Sequence, residues 1–183
     1  MEKYGADGVR VGMLLCSPAG GDLLFDESLT EQGRNFGNKI WNAFRLVNSW
    51  EVDSSLEQPE ESKIANKWFT EKLNESLTLL EDQFSKYRLS EALMNVYKLF
   101  WDEFSGWYLE IIKPAYKHSI DEPTKKEAFY FLEKLVKLLH PFMPFITEEI
   151  WQKIEARNDG ESIMTKEMPV SETYEKACVE RFE

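Results

Sequence analysis

Between Arg34 and Asn48 the chain runs RNFGNKIWNAFRLVN, and its residue types divide between two unlike faces. At about 100° per residue, Phe36, Ile40, Ala43, Val47 and Trp50 share one side of a helix, the apolar stripe of an element packed on a core. The opposite side carries Asn35, Asn38, Asn42, Arg45 and Ser49, with Lys39 and Leu46 on its shoulder. Solvated helix faces usually carry glutamate and lysine, which favour the helix. Asparagine is a poor helix former because its amide competes for backbone bonds. A row of amides with two cations and a leucine offers donors and acceptors beside an apolar surface. Single-stranded RNA is recognised through such groups, by amides on exposed base edges and by planar or apolar side chains on base faces. A loosely selected, solvated polar face is the plain alternative.

Other chemistry is harder to find. The chain has no phosphate-cradling Gly-x-x-x-x-Gly-Lys loop, no Gly-x-Gly-x-x-Gly, no His-Glu-x-x-His and no Gly-x-Ser-x-Gly. Glu148 and Glu149 are adjacent, so on a helix they diverge by about 100° and cannot act together on one bond. A solvated first turn, favoured by the helix dipole, accounts for them. His140 precedes Pro141 at a helix end and reads as a hydrogen-bonded structural residue, while His118 has no acid at helical spacing. Cys16 and Cys178 are far apart and near neither histidine, which excludes a zinc-type spacing and leaves no metal ligands to name. Trp101, Phe104, Trp107 and Tyr108 could stack on bases, but at helical spacing most of them belong in a core. Lys86 and Arg88, at the mouth of a helical hairpin, are better candidates for contacts to an RNA backbone. No catalytic residue is assigned.

The elements that must position these groups follow from length and pattern. A chain of 183 residues with 43% hydrophobic and 14% aromatic residues can bury a sizeable core. The net charge of −11 argues against a surface that grips nucleic acid by charge alone. The charge is uneven, however: Glu51–Ser62 holds five acids and no base, whereas Glu31–Trp50 holds three cations and one acid. There is no signal peptide and no apolar run of membrane-spanning length, so the chain is expected to be cytoplasmic and monomeric, with no membrane contact.

Tyr4–Leu15 has helical spacing thinned by glycines at positions suited to close packing against a neighbour. Ser17–Asp26 reads as a loop, and Ser28 or Thr30 is expected to cap a second helix running to about Trp50. An acidic connection leads to Pro59. A third helix covers about Glu60–Lys86, with Ala65, Trp68, Phe69, Leu73, Leu77, Leu80 and Phe84 on its stripe. Ser90 is the expected N-cap of a fourth helix through Leu93, Val96, Phe100 and Phe104, with a kink or break near Gly106 and Pro114. Thr124 and Glu127 have capping-box spacing ahead of a fifth helix to about His140. A short helix covers Phe145 to about Ala156. The polar stretch from Arg157 onward has little periodicity, with a short strand possible near Ser162–Thr165. The fold class is all-α, an antiparallel helix bundle with short connections.

HPFMPFITEEIW (His140–Trp151) resembles the block found late in the helical domain of class I aminoacyl-tRNA synthetases for aliphatic amino acids. GADGVRVGM (Gly5–Met13) resembles the start of that domain, where the family usually shows Asp-Ala-Leu-Arg. Asp7 and Arg10 keep the outer residues; Gly8 and Val9 depart at the inner two. GGDLLFD (Gly20–Asp26) and RNFGNKIWNAFRLV (Arg34–Val47) are similar to the valyl branch of the family in particular. The resemblance covers roughly residues 4–170.

That resemblance implies a bundle of the class I anticodon-binding type, in which the Asn-Lys-x-Trp-Asn helix contacts anticodon bases. The implied tRNA contacts are Lys39, Asn42, Arg45 and Leu46, with Asn38 and Asn35 on the same face. Leu46 stands where the family often has an aromatic residue, so ring stacking is not available there. The implied partners are the anticodon stem-loop of tRNA(Val) and the catalytic domain of the same parent chain. The parent would attach valine to its tRNA using ATP with Mg; this segment would need no cofactor and would bind without catalysing. The family's catalytic motifs are missing, and the opening MEKYGADGVRVG reads as the inside of an element, so a piece of a longer protein is expected. Within it, residues 1–157 would be the anticodon-binding domain and 158–183 a polar extension beginning a following segment. An isoleucyl or leucyl counterpart is disfavoured by residues 34–42, and a helical protein-interaction module is the alternative of a different class.

Overall fold

A computed structural model describes residues 2–17, 22, 24–175 and 179, and among them every regular element is helical. Helix α1 spans Gly5–Leu15 and lies against α2, Glu27–Ser49. Helices α3 (Glu60–Ser85) and α4 (Leu89–Lys98) form the next hairpin. Helix α4 runs on without a break through a π-helical stretch, Leu99–Tyr108, into α5, Leu109–Ile112. Helices α6 (Glu122–Leu139) and α7 (Pro144–Ile154) complete an all-α bundle. The single β-type pairing among the described residues is an isolated parallel bridge between Val52 and Ile120.

The α1–α2 contact is the tightest in the molecule. A Cβ on Gly12 would lie 2.6 Å from Thr30 Oγ1 and 2.8 Å from the Thr30 amide, and one on Gly33 would lie 2.6 Å from the Gly8 carbonyl oxygen. Only glycine lets the two backbones come this close. With α1 so seated, Asp7 and Arg10 reach α7 from one side. The Asp7 carboxylate accepts hydrogen bonds from the amides of Phe145 (3.3 Å) and Ile146 (2.8 Å), two of the unpaired donors that begin α7. Arg10 donates to the carbonyls of Phe142 (3.2 Å) and Pro141 (3.0 Å). The two prolines of this corner leave backbone groups without helical partners, and the two charged side chains supply them.

Three caps differ from the sequence reading. Asp26, not Ser28 or Thr30, opens α2 by accepting from the Ser28 amide at 2.8 Å, while Thr30 is buried against Gly12. Ser90 does not cap α4, which begins at Leu89; its hydroxyl is placed between the carbonyls of Leu14 and Ser17 at the end of α1. Asp121 opens α6 by accepting from the Thr124 amide at 2.8 Å, so Thr124 and Glu127 do not form the capping box. In each case an element boundary one to three residues earlier leaves the expected cap inside the helix.

The rod does not break near Gly106, though it does end at Ile112, just ahead of Pro114, the other position where a break is expected. Val96, Phe100, Phe104, Tyr108 and Ile112 recur at every fourth residue, and all are buried. On an α-helix each such step turns the side chain about 40° away from its predecessor. The wider turns of the π stretch reduce that drift and keep the aromatic residues facing the core. Phe104 and Tyr108 stack at 5.5 Å, and Phe69 and Phe131, 4.9 Å from each other, close on them at 5.1–5.4 Å. Phe104 and Tyr108 are buried and Trp101 packs on the core, as expected for most of this set, while Trp107 faces outward, 64% exposed.

The polar stretch after α7 folds back onto the bundle. Glu148 is no solvated first-turn acid: it accepts from Ser162 Oγ (2.7 Å) and the Ile163 amide (3.2 Å), and Gln152 donates to the Glu161 carbonyl. The expected strand near Ser162–Thr165 is a 3-10 turn, Ile163–Thr165, with Ile163 buried. The Arg157 guanidinium lies 3.9 Å over the Trp151 ring. Farther on, the Glu172 amide donates to Asn74 and the Glu175 amide to Glu71, along α3.

Two predictions follow from this packing. Gly12→Ala should destabilise the chain by about 1–3 kcal/mol, because its methyl group meets the Thr30 backbone as well as its buried hydroxyl. Gly37→Ala, whose Cβ would meet only the side-chain ends Met143 Cε at 3.5 Å and Ile146 Cδ1 at 3.7 Å, should be neutral or stabilising by about 0.5–1 kcal/mol. Urea titration of both variants checks the pair.

The second concerns acid. Partial burial raises the Glu148 carboxyl, but bonds from Gln152, Ser162 and Ile163 outweigh it and hold it below the usual 4.5. Lys166 and the Asn158 amide bring Glu161 down to about 2. Burial holds His140 below 6.5 against the pull of Glu148 and Asp7. All three folded values are depressed, so their stabilisation is complete above the unfolded values and is lost as pH falls. Protection of the Ile163 amide from hydrogen exchange should weaken below about pH 6.5 and fall away below about pH 4.5. Undiminished protection at about pH 3 would contradict this anchoring.

Candidate nucleic-acid interface

Helix α2 is amphipathic over its whole length, and burial of its stripe sets the rotation of everything else on it. Phe36, Ile40, Ala43, Val47 and Trp50 are all buried, joined by Phe44 and by Gly33 against α1. With that side fixed inward, Asn35, Asn38, Asn42, Arg45, Leu46 and Ser49 are exposed in one strip. Side chains three and four residues apart lie next to one another, so the strip is continuous.

Among the described residues, the Asn35, Asn38, Asn42 and Arg45 side chains make no hydrogen bond or ion pair within the chain. An asparagine amide carries two donors and an acceptor, all available here to something outside. Most other cations among the described residues are occupied, Lys98, Lys117 and Lys134 being without an acid partner. Lys63, Lys126 and Lys153 pair with acids one helical turn away on their own helices, and Lys166 pairs with Glu161. Arg34 donates to the Lys3 carbonyl at 3.2 Å, and Lys125 to that of Trp50.

Lys39 is half-buried, its ammonium 5.4 Å from the centre of the Trp101 ring. Trp101 stacks on Tyr97 at 5.4 Å with planes 11° apart, and Tyr97 packs on Phe36. An aromatic shelf from α4 and the π stretch therefore sits beside the amide strip and holds its lysine by cation–π attraction. The sequence reading missed the wider winding of the π stretch, which places Trp101; its one signal there is the four-residue repeat from Val96 to Ile112.

The structure does not bring Lys86 and Arg88 to this strip. They lie at the α3–α4 turn, beside the end of α1 and the start of α2. Arg45 is about 27 Å farther along α2 at 1.5 Å per residue. Lys86 pairs with Asp82 at 2.6 Å and Arg88 with Glu91 at 3.5 Å. At the other end of the strip, Leu46 and Ser49 line an open cleft of about 540 Å³ with residues from Lys113 to His118. The sequence reading assigned no binding role to that loop. Among the described residues no group of three or more His, Cys, Asp or Glu could hold a metal ion, and no helix is long and apolar enough to cross a membrane.

Residues 66–183 match the family described as the anticodon-binding domain of tRNA ligase. The chain is 57% identical over 183 residues to the valine–tRNA ligase of Parabacteroides distasonis, covering 100% of this chain and 21% of that protein. The valine–tRNA ligase of Phocaeicola vulgatus is also 57% identical over 183 residues, with the same coverage of 100% and 21%. That of Bacillus thuringiensis is 40% identical over 177 residues, covering 92% of this chain and 20% of its own. The chain thus spans about a fifth of the length of the curated relatives it matches.

Proposed function

This chain belongs to the anticodon-binding domain family of tRNA ligases, and we propose that the exposed strip of α2 reads the anticodon of tRNA(Val). The observation that carries the reading is the row of unpaired amides at Asn35, Asn38 and Asn42 with Arg45 and Leu46 beside it, on a surface where most other cations are taken up by acids. Amides match base edges in a way that discriminates between bases, and Leu46 packs on a base face. Lys39, tethered over Trp101, supplies charge to the phosphate backbone. Lys86 and Arg88 contribute at most secondary backbone contacts from the far end. Residues 1–157 form the reading domain, and the stretch from 158 to 175 extends it by packing back onto α7 and α3.

The whole protein, on this proposal, is a cytoplasmic, monomeric valine–tRNA ligase that joins valine to tRNA(Val) using ATP with Mg. The names of the relatives support it. This chain binds and the attached catalytic part does the chemistry.

An RNA hairpin carrying the anticodon stem and loop of tRNA(Val) tests the reading, set against hairpins with altered anticodons. Binding should be weak, since the net charge is −11 and few cations are free, and for the same reason its salt slope should correspond to only a few phosphate contacts. Asn42→Ala should reduce the preference for the valine anticodon by about 1–3 kcal/mol. Helicity should be unchanged, because Asn42 is exposed and alanine is the better helix former. Lys39→Ala should instead weaken all hairpins alike. An intact preference in Asn42→Ala would mean that the amides are merely solvated.

A further inference from the structure

The C-terminal end of the amide strip opens into the cleft of about 540 Å³ between α2 and the loop that follows α5. Leu46, Ser49 and Trp50 line one side, and Tyr116, Lys117 and His118 the other. The loop is pinned at its base: the Ile120 amide donates to the Glu51 carbonyl at 2.9 Å and the Asp53 amide to the Ile120 carbonyl at 3.0 Å. Its tip is a tight turn closed by the His118 amide on the Ala115 carbonyl at 2.9 Å, which projects Tyr116 and Lys117 outward.

Both tip residues are in conditions that folding alone does not call for. Tyr116 is 87% exposed and, among the described residues, has no ring partner except the Lys117 ammonium, 5.4 Å from its centre. Lys117 has φ of 64°, a left-handed conformation that such turns normally give to glycine or asparagine. Backbone strain of this kind persists where the surroundings impose it, and it clusters at ligand-contacting sites. Lys117 makes no ion pair among the described residues, in contrast to Lys113, which is tied to Glu110. A bare aromatic face with a free ammonium over it, a few residues of helix from a row of unpaired amides, is the equipment that single-stranded nucleic acid requires: a stacking platform and a phosphate partner.

We infer that the Tyr116–Lys117 turn is a second element of the RNA interface, taking the unpaired nucleotide next to those that face α2. Its base stacks on the Tyr116 ring and its phosphate pairs with Lys117. Glu51, which also lines the cleft, can accept a hydrogen bond from an exocyclic base amine. This rests on the reading of the α2 strip proposed above.

The experiment uses the 183-residue chain and the tRNA(Val) anticodon hairpin, with the fluorescent base 2-aminopurine placed in turn at each loop position beside the anticodon. Tyr116→Ala should weaken binding by roughly five- to a hundredfold and abolish the stacking quench at one loop position. Tyr116→Phe, which keeps the ring, should retain both. Lys117→Gly keeps the positive φ while removing the charge, and should lower the salt slope of binding by about 1. If Asn42→Ala weakens binding while Tyr116→Ala matches the unaltered chain in affinity and quench, the second element is overturned and the α2 reading stands. If the hairpin is bound by neither the unaltered chain nor its variants, both fall together.

Discussion

Where α1 crosses α2, backbone lies against backbone, and the rest of the structure takes its position from that contact. Gly8, Gly12 and Gly33 leave no room for a Cβ at two of the three sites and little at the third. Three dependent contacts reach out from the seated helix. Asp7 supplies the amides that begin α7, Arg10 takes the carbonyls of the preceding proline corner, and the end of α1 receives the Ser90 hydroxyl from α4. Separate the two helices by the thickness of a methyl group and all three are stretched. The seam also fixes the rotation of α2 about its own axis. A helix with one glycine face held against α1 and an apolar stripe in the core can present only one remaining side, and that side is the amide strip.

Charge is distributed in the same economical way. The chain is acidic overall, and most cations outside the strip sit on a carboxylate or a carbonyl, where exposed pairs contribute little to stability. Their neutralisation leaves Arg45, the tethered Lys39 and Lys117, with Lys98 and Lys134, as positive points on a mostly negative body. An RNA approaching such a protein is repelled over most of the surface and finds local attraction along one strip. Recognition then depends on hydrogen bonds and stacking more than on bulk charge, which suits discrimination between bases.

Much of this was legible in the chain. The 3.6-residue stripe of α2 needed no tertiary information, because its inward and outward residues differ in kind. The glycines of α1 announced a close neighbour, though not which one. What could not be read depended on partners distant in sequence. Asp7 and Arg10 act on a corner more than 130 residues away. Ser90 looked like a cap, but it bonds to the end of α1. Glu148 looked solvated because the segment it holds, at Ser162 and Ile163, shows no periodicity. The π stretch is a partial exception: the strict four-residue repeat from Val96 to Ile112 was visible, and it favours winding wider than α. Gly106 drew attention toward a kink instead. Trp107 and the Tyr116–Lys117 turn could not be placed without knowing which side of the rod the core occupies.

The central claim, that α2 turns its unpaired amides toward RNA bases, is tested most directly by the side-chain amide resonances of the asparagines. In a nitrogen-labelled sample titrated with the tRNA(Val) anticodon hairpin, the amide pairs of Asn35, Asn38 and Asn42 should shift and lose solvent exchange. Those of buried Asn74 and half-buried Asn95, held within the bundle at α3 and α4, should stay in place. Saturation of the hairpin with the α2 amides unmoved, or with shifts confined to the turn bearing Lys86 and Arg88, would contradict the account.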